Sequence, residues 1–335
     1  MKHFAALIAA FALMLSAVQA GDWVTYEGKA GPGKGKNIVL LAGDEEYRSE
    51  EAMPQLAKIL SQRHGFTCTV LFSVSTNGVI DPNAGGSLTH PEAFDTADAI
   101  VMSLRFRHWP DDAMKRFASA LNRGVPIIAL RTSTHAFNGF SKDSPWARWN
   151  YGSKGGFGKQ VLGETWVSHW GNHKKEATRG IIEASAQSDP VLRGVEDLFG
   201  TTDVYEAAPP ADAKILVRGQ VLKGMKPTDE PADYKKKTAA KVEQGVNDPM
   251  MPVAWTREYK NESGKVNKIL CTTMGAATDL ENEGLRRLVI NGAYWGLGLP
   301  VPAKANVELV GEYKPTMYGF GGGKKDTKPS DYELK

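Results

Sequence analysis

Apolar residues in the first half of the chain come in short blocks, and these blocks alternate with stretches of helical period. The run from Asn37 to Ala42 is nearly all aliphatic and of strand length, the pattern of a strand buried on both faces. A helical pattern follows to His64, with Leu56, Ile59 and Leu60 on one side and Gly65 as its stop. Phe66–Val74 reads as a second strand and Ala99–Leu104 as a third. Asp111 and Asp112 open another helix, with Met114, Phe117 and Leu121 at helical spacing and Gly124 at its end. Val125–Leu130 is the fourth strand. Strands that are apolar on both sides, alternating with helices, predict an α/β domain. Its sheet is expected to be doubly wound and mostly parallel, with helices on both faces.

The second half is less regular. Strands are expected at Gly180–Ala184, Ile215–Gln220, Val253–Glu258 and Lys268–Thr273. A last helix runs from about Asn282 to Trp295, with Leu285, Leu288, Val289 and Trp295 on one side. Leu222–Asn247 is polar and lysine-rich, and reads as a long, mobile surface loop able to act as a lid. Gly321–Lys335 has the composition of a disordered tail. The organisation expected is therefore a targeting segment over 1–20, a flexible lead-in over 21–36, one domain over 37–300, and an extension over 301–335.

The first twenty residues change the compartment. Lys2, the apolar run Phe4–Leu15 and Val18-Gln19-Ala20 make a cleavable signal peptide, so a periplasmic or secreted protein is expected. That run is too short for a membrane helix, and no later stretch is long and apolar enough. A formal charge of +3 gives no strong drive toward nucleic acid or anionic membranes. The two cysteines, Cys68 and Cys271, lie in separate strand-like runs and read as buried thiols in preference to a bridge.

Candidate chemistry follows from where ligands bind in an open parallel sheet, beyond the carboxyl ends of the strands. Asp44, Glu46, Tyr47 and Arg48 follow the first strand; Arg105, Arg107 and His108 the third; Arg131, Thr132, Ser133 and His135 the fourth; and Thr278, Asp279 and Glu281 the late one. Each also reads singly as a solvated loop charge or helix cap, and Arg131 as a buried ion pair tying two strands. Their convergence from four strand ends is what suggests a site. Gly28–Lys34 resembles a phosphate loop, but Gly35 stands where Ser or Thr should hold magnesium, and the segment precedes its strand. One glycine after the first strand, where a dinucleotide fingerprint needs three, disfavours a nicotinamide cofactor. Trp146, Trp149, Tyr151, Phe157, Trp166 and Trp170 crowd one connection, which reads first as a small core and second as a stacking wall for a flat ligand. His169 and His173 are four apart, with Gly171-Asn172 between them favouring a turn. With His135 they make a three-histidine divalent metal site the lesser reading beside no cofactor.

The stretch Gly124-Val-Pro-Ile-Ile-Ala-Leu-Arg-Thr-Ser-Thr-His-Ala-Phe137 resembles the strand and nucleophile turn of class I glutamine amidotransferases, with Arg131 where the cysteine would stand. Glutamine hydrolysis is therefore not expected. The chain is more similar to the ThuA-like (trehalose utilisation) family, which shares that flavodoxin-like fold without the cysteine. The resemblance rests on Asp44–Arg48, Leu130–Phe137, Val167–Asn172, Asp189-Pro190, Pro252–Tyr259 and Thr272–Gly275, and spans residues 37–299. The commoner family pattern has His at Arg131 and Gly-His at Gly275-Ala276, so two imidazoles are missing and Arg131 with Asp279 would stand in for them. The resemblance implies a small carbohydrate ligand, a disaccharide or keto-sugar, acted on by a hydrolase or isomerase. The residues expected to bind it are Asp44, Glu46, Tyr47, Arg105, Arg131 and Trp170; His135, His169 and Asp279 are the expected acid/base groups. A non-catalytic carbohydrate-binding or cell-surface module is the alternative.

Overall fold

A computed structural model describes residues 21–334, so the expected signal peptide lies outside the described residues. In chain order the elements are β1 (Trp23–Tyr26), β2 (Asn37–Gly43), α1 (Ser49–His64), β3 (Thr67–Phe72), β4 (Ala99–Leu104), α2 (Asp111–Asn122) and β5 (Ile127–Leu130). Then come β6 (Thr178–Ile182), β7 (Phe199–Gly200), β8 (Ala213–Val221), β9 (Lys235–Lys237), β10 (Glu243–Gly245), β11 (Met251–Lys260), β12 (Val266–Thr272) and α3 (Glu283–Gly296). The helix signals act as the sequence suggests. Gly65 takes φ 81° and its N–H closes α1 onto Leu60 and Ser61, while the Asn282 side chain caps the Leu285 N–H at the start of α3.

Ten strands form one sheet in the order β1-β3-β2-β4-β5-β12-β11-β8-β6-β7. The pairs from β3 through β2, β4 and β5 to β12 are parallel. The outer pairs, β1 with β3 and β12 through β11, β8 and β6 to β7, are antiparallel. The expected α/β fold is present, but its sheet is mixed instead of mostly parallel. The physical reason lies in the second half: β11 and β12 are joined by a tight turn with no crossover helix, and a tight turn can connect only antiparallel neighbours. β12 is the seam, parallel to β5 on one side and antiparallel to β11 on the other.

The sheet separates two cores. One face carries α1 and α3, with Leu56, Leu60, Leu285 and Leu288 packed on Ile38, Val101 and Leu270. The other carries α2 and the aromatic connection, with Phe117, Phe137, Trp149 and Phe157 packed on Ile100, Ile127 and Ile269. Cys68 lies in the first core and Cys271 in the second, both as free buried thiols. None of the described helices is long and apolar enough to cross a membrane.

Three segments differ from expectation. The lead-in is not loose throughout, since β1 joins the sheet edge and the Gly33 N–H bonds the His64 carbonyl. Residues 222–247 contain the β9–β10 hairpin, tied down where the Trp170 indole donates to the Val246 carbonyl (2.8 Å) and the Asn247 amide bridges Val221 and Ala232. The tail is packed where disorder was expected. Tyr332 stacks on Phe72 and accepts from the Tyr26 hydroxyl (2.6 Å), and Thr327 accepts from the Ile80 N–H. Composition hid this, because a few aromatics and backbone hydrogen bonds are enough to dock a polar segment along a sheet edge.

Candidate functional site

At the carboxyl end of β5 the chain turns sharply. Arg131 takes a left-handed φ of 44° and opens a short 3-10 turn through His135. This is the place of the nucleophile turn, filled by a guanidinium. The Arg131 side chain is fully buried and points under the strand ends. Nη1 donates to the carbonyls of Asp203 (2.7 Å) and Thr273 (2.8 Å), and Nη2 to Asp203 Oδ1 (2.8 Å) and the Tyr47 hydroxyl (3.1 Å). Its plane lies against the ring of Tyr205, 3.7 Å from the centroid.

Asp203 is the hub of this layer. It is buried, and besides Arg131 it accepts from His169 Nδ1 at Oδ2 (2.8 Å) and from His173 Nδ1 at Oδ1 (3.1 Å). Burial works against its charge, but Arg131 and the two imidazoles hold its carboxyl well below the usual range. The other nitrogen of His173, Nε2, reaches Glu46 Oε1 (3.0 Å). Hydrogen bonds to Asp203 and Glu46 raise the His173 pKa to about 9, so it is a cation at neutral pH. Burial opposes the charge of Glu46 too, and contact with His173 overcomes it and lowers its pKa.

Above this layer lies an open cleft of about 260 Å³, lined by Glu46, Tyr47, Arg105, His135, His169 and His173 together with Phe106, Trp166, Tyr205, Lys174 and Phe320. His135 packs among Phe106, Tyr151 and Trp166. Its pKa is pushed well below the usual value, by burial first and then by Arg105, Arg131 and His169. Arg105 is clamped by Glu45 and lies over the Phe106 ring.

Six of the nine residues expected at the site therefore meet in one place: Glu46, Tyr47, Arg105, His135 and His169 line the cleft, and Arg131 lies beneath it. Three do not. Asp44 is buried, accepting the N–H groups of Glu46 and Tyr47 (both 2.7 Å) and the Thr132 hydroxyl, so it holds a turn. Asp279 is buried under Gly275, Ala276, Thr201 and Thr202, whose N–H and hydroxyl groups it accepts, and it does not stand in for a missing imidazole. Trp170 is fully buried and serves the β9–β10 hairpin. Arg131 pairs with Asp203.

Sequence reading missed Asp203, Tyr205, Lys174 and Phe320. Asp203 and Tyr205 follow the two-residue strand β7 in a stretch without periodicity. The one local sign was their spacing of two, which suits the bridge that pairs Tyr205 with His169. As for a cation, His169, His173 and Asp203 each bring one donor atom within 4.8 Å of the others, while His135 is not in that group. A divalent ion there would have to displace the His173 proton and lie beside the Arg131 guanidinium, and both oppose it.

No family model matches the chain, and no curated protein matches it. Solved structures do, two crystal structures among them. One, of a provisionally named ThuA-like protein from Parabacteroides merdae ATCC 43184, is 13% identical; the match covers 90% of this chain and 99% of that one, with a TM-score of 0.50. The other, of a likewise provisionally named ThuA-like protein from Bacteroides uniformis ATCC 8492, is 15% identical and covers 80% and 92%, with a TM-score of 0.45. The chain therefore has the α/β fold of the first of these ThuA-like structures, over nearly the whole length of both.

Proposed function

We propose that this chain binds a small, hydroxyl-rich carbohydrate in the cleft and acts on it by proton transfer, outside the cytoplasm. The observation that carries this reading is the meeting of three imidazoles, His135, His169 and His173, within one aromatic-walled cleft. His173 is held protonated between Asp203 and Glu46, and His135 is held neutral by burial. His169 is braced through Nδ1 by Asp203, which leaves Nε2 with the lone pair in the neutral tautomer. His169 would take a proton through Nε2 from a substrate hydroxyl, or from a carbon beside a carbonyl in a keto-sugar, and return it to the developing oxygen, while His173, whose two nitrogens are held by Asp203 and Glu46, would supply positive charge beside it. Trp166 and Phe106 offer flat faces for a sugar ring, and Arg105, Lys174 and Glu46 offer partners for its hydroxyls. Residues 1–20 support export, with cleavage near Ala20. Glutaminase chemistry finds no support, since Arg131 fills the nucleophile turn and both thiols are buried in the cores.

The test is calorimetry and product chromatography with a panel of disaccharides and their keto derivatives, using the wild type, His169→Ala and His173→Asn. Turnover should fall by roughly 10²–10⁴-fold in either variant while affinity changes little. A sugar that binds and is returned unchanged would favour the binding-module reading, and a panel in which no sugar binds would overturn the carbohydrate reading.

A further inference from the structure

The last part of the chain reaches the cleft. Tyr318 is buried, its ring stacked on Tyr47 (5.1 Å between centroids) and its hydroxyl bonded to the Thr201 carbonyl (2.9 Å). The Gly319 N–H donates to the Glu46 carbonyl (2.8 Å), and Arg48 Nη2 donates to the Gly319 carbonyl (2.5 Å). Upstream, Thr316 is held by both Glu51 carboxylate oxygens (2.8 and 2.6 Å). The residue between these anchors and the docked end of the tail is Phe320. It is 61% exposed, the most exposed large hydrophobic residue among those described, yet its backbone is fixed on the side that carries it.

Flanking glycines explain how it is presented. Gly319 has φ 147° and Gly321 has φ 68°, and a side chain at either would be strained. The chain thus makes a bend that lifts the Phe320 ring over the cleft mouth. Leaving a phenylalanine largely in water forgoes the gain of burying it. The Arg105 guanidinium lies over one side of its ring, 5.1 Å from the centroid, and leaves most of the residue to solvent. Lys174, another lining residue, lies beside Gly319.

Volume indicates what the ring meets. At about 260 Å³ the cleft falls short of the ~300 Å³ at which sites for drug-sized ligands begin. It has room for one sugar ring beside the histidines; Phe320 borders that volume at its mouth and most of its ring is exposed, which leaves a face for the second ring of a disaccharide at the rim. We infer that Phe320 is the stacking platform of a rim subsite that receives the second sugar ring of a disaccharide, with Arg105 and Lys174 meeting that ring's hydroxyls. The chain's end is then a specificity-determining part of the site. This inference rests on the carbohydrate reading of the cleft.

The test compares Phe320→Ala and Phe320→Trp with the wild type in calorimetric titrations against a disaccharide and its component monosaccharide. Phe320→Ala should weaken the disaccharide about three- to tenfold, as expected for loss of one aromatic contact, and the monosaccharide markedly less. Phe320→Trp should restore disaccharide affinity. If Phe320→Ala binds both sugars as the wild type does, or weakens both alike, the subsite is wrong while the carbohydrate reading stands. If the wild type binds neither sugar, the carbohydrate reading fails and the subsite falls with it.

Discussion

Arg131 stands where the family resemblance suggested a ligand contact, and its surroundings give it a structural task. A guanidinium with no exposure, whose two terminal nitrogens bond two carbonyls, a carboxylate and a phenol while its buried Nε–H has no partner, is held beneath the cleft and reaches a sugar only through its neighbours. Arg131→Met should therefore leave Asp203 buried with its main counter-charge gone, at a cost of about 3–5 kcal/mol. In a thermal melt this reads as a loss of on the order of 10 °C. Adding Asp203→Asn should recover part of it, and an unchanged melting temperature in Arg131→Met would mean the pair contributes nothing. His173 predicts a pH dependence. Its pKa is raised from 6.5 to about 9 by Asp203 and Glu46, so its contribution is complete below pH 6.5 and is lost as pH rises through 9. Melting temperature should fall over that window in the wild type and fall less in His173→Asn. The position of Arg131 at a strand end was legible in the sequence, and a buried ion pair was one of its two readings; its partner was not legible, because Asp203 is 72 residues away and no local pattern joins them.

Single elements were legible in proportion to their periodicity. α1, α2 and α3 each carry an apolar face and a start or stop signal, and they appear where these predict. The parallel strands were legible as aliphatic runs. β1, β9 and β10 were not, being three or four residues long and polar or mixed in composition. The β9–β10 hairpin also shows why polarity alone misleads about mobility. Its base is bound through Val246, Asn247 and Tyr234, the last donating to Glu176 (2.8 Å), while residues 239–243 at its tip are exposed. Amide exchange should be slow at Val221, Ala232 and Val246 and fast across 239–243. Uniformly fast exchange from 222 to 247 would restore the mobile-loop reading, and Trp170→Ala should speed exchange at the base.

At the scale of the whole molecule, the fold class followed from the first half of the sequence, and the mixed sheet came from the second. The site lies where the two meet. Arg131 and His135 come from the parallel half, while His169, His173, Asp203 and Tyr205 come from the connections of the antiparallel half. Sequence could point to the first group through strand ends, but the second depends on which strand sits beside which. β12 decides that, since it alone hydrogen-bonds both β5 and β11. A ribosome releases the strands in numerical order, so β12 emerges after every other strand of the sheet. Until residues 266–272 are available, β5 and β11 each present an open, largely apolar edge, and the two groups of catalytic candidates have no fixed relation. The β5 edge of a nascent chain therefore stays open to wrong pairing from residue 130 until residues 266–272 are made, and the strand that closes it also brings the two halves of the cleft together.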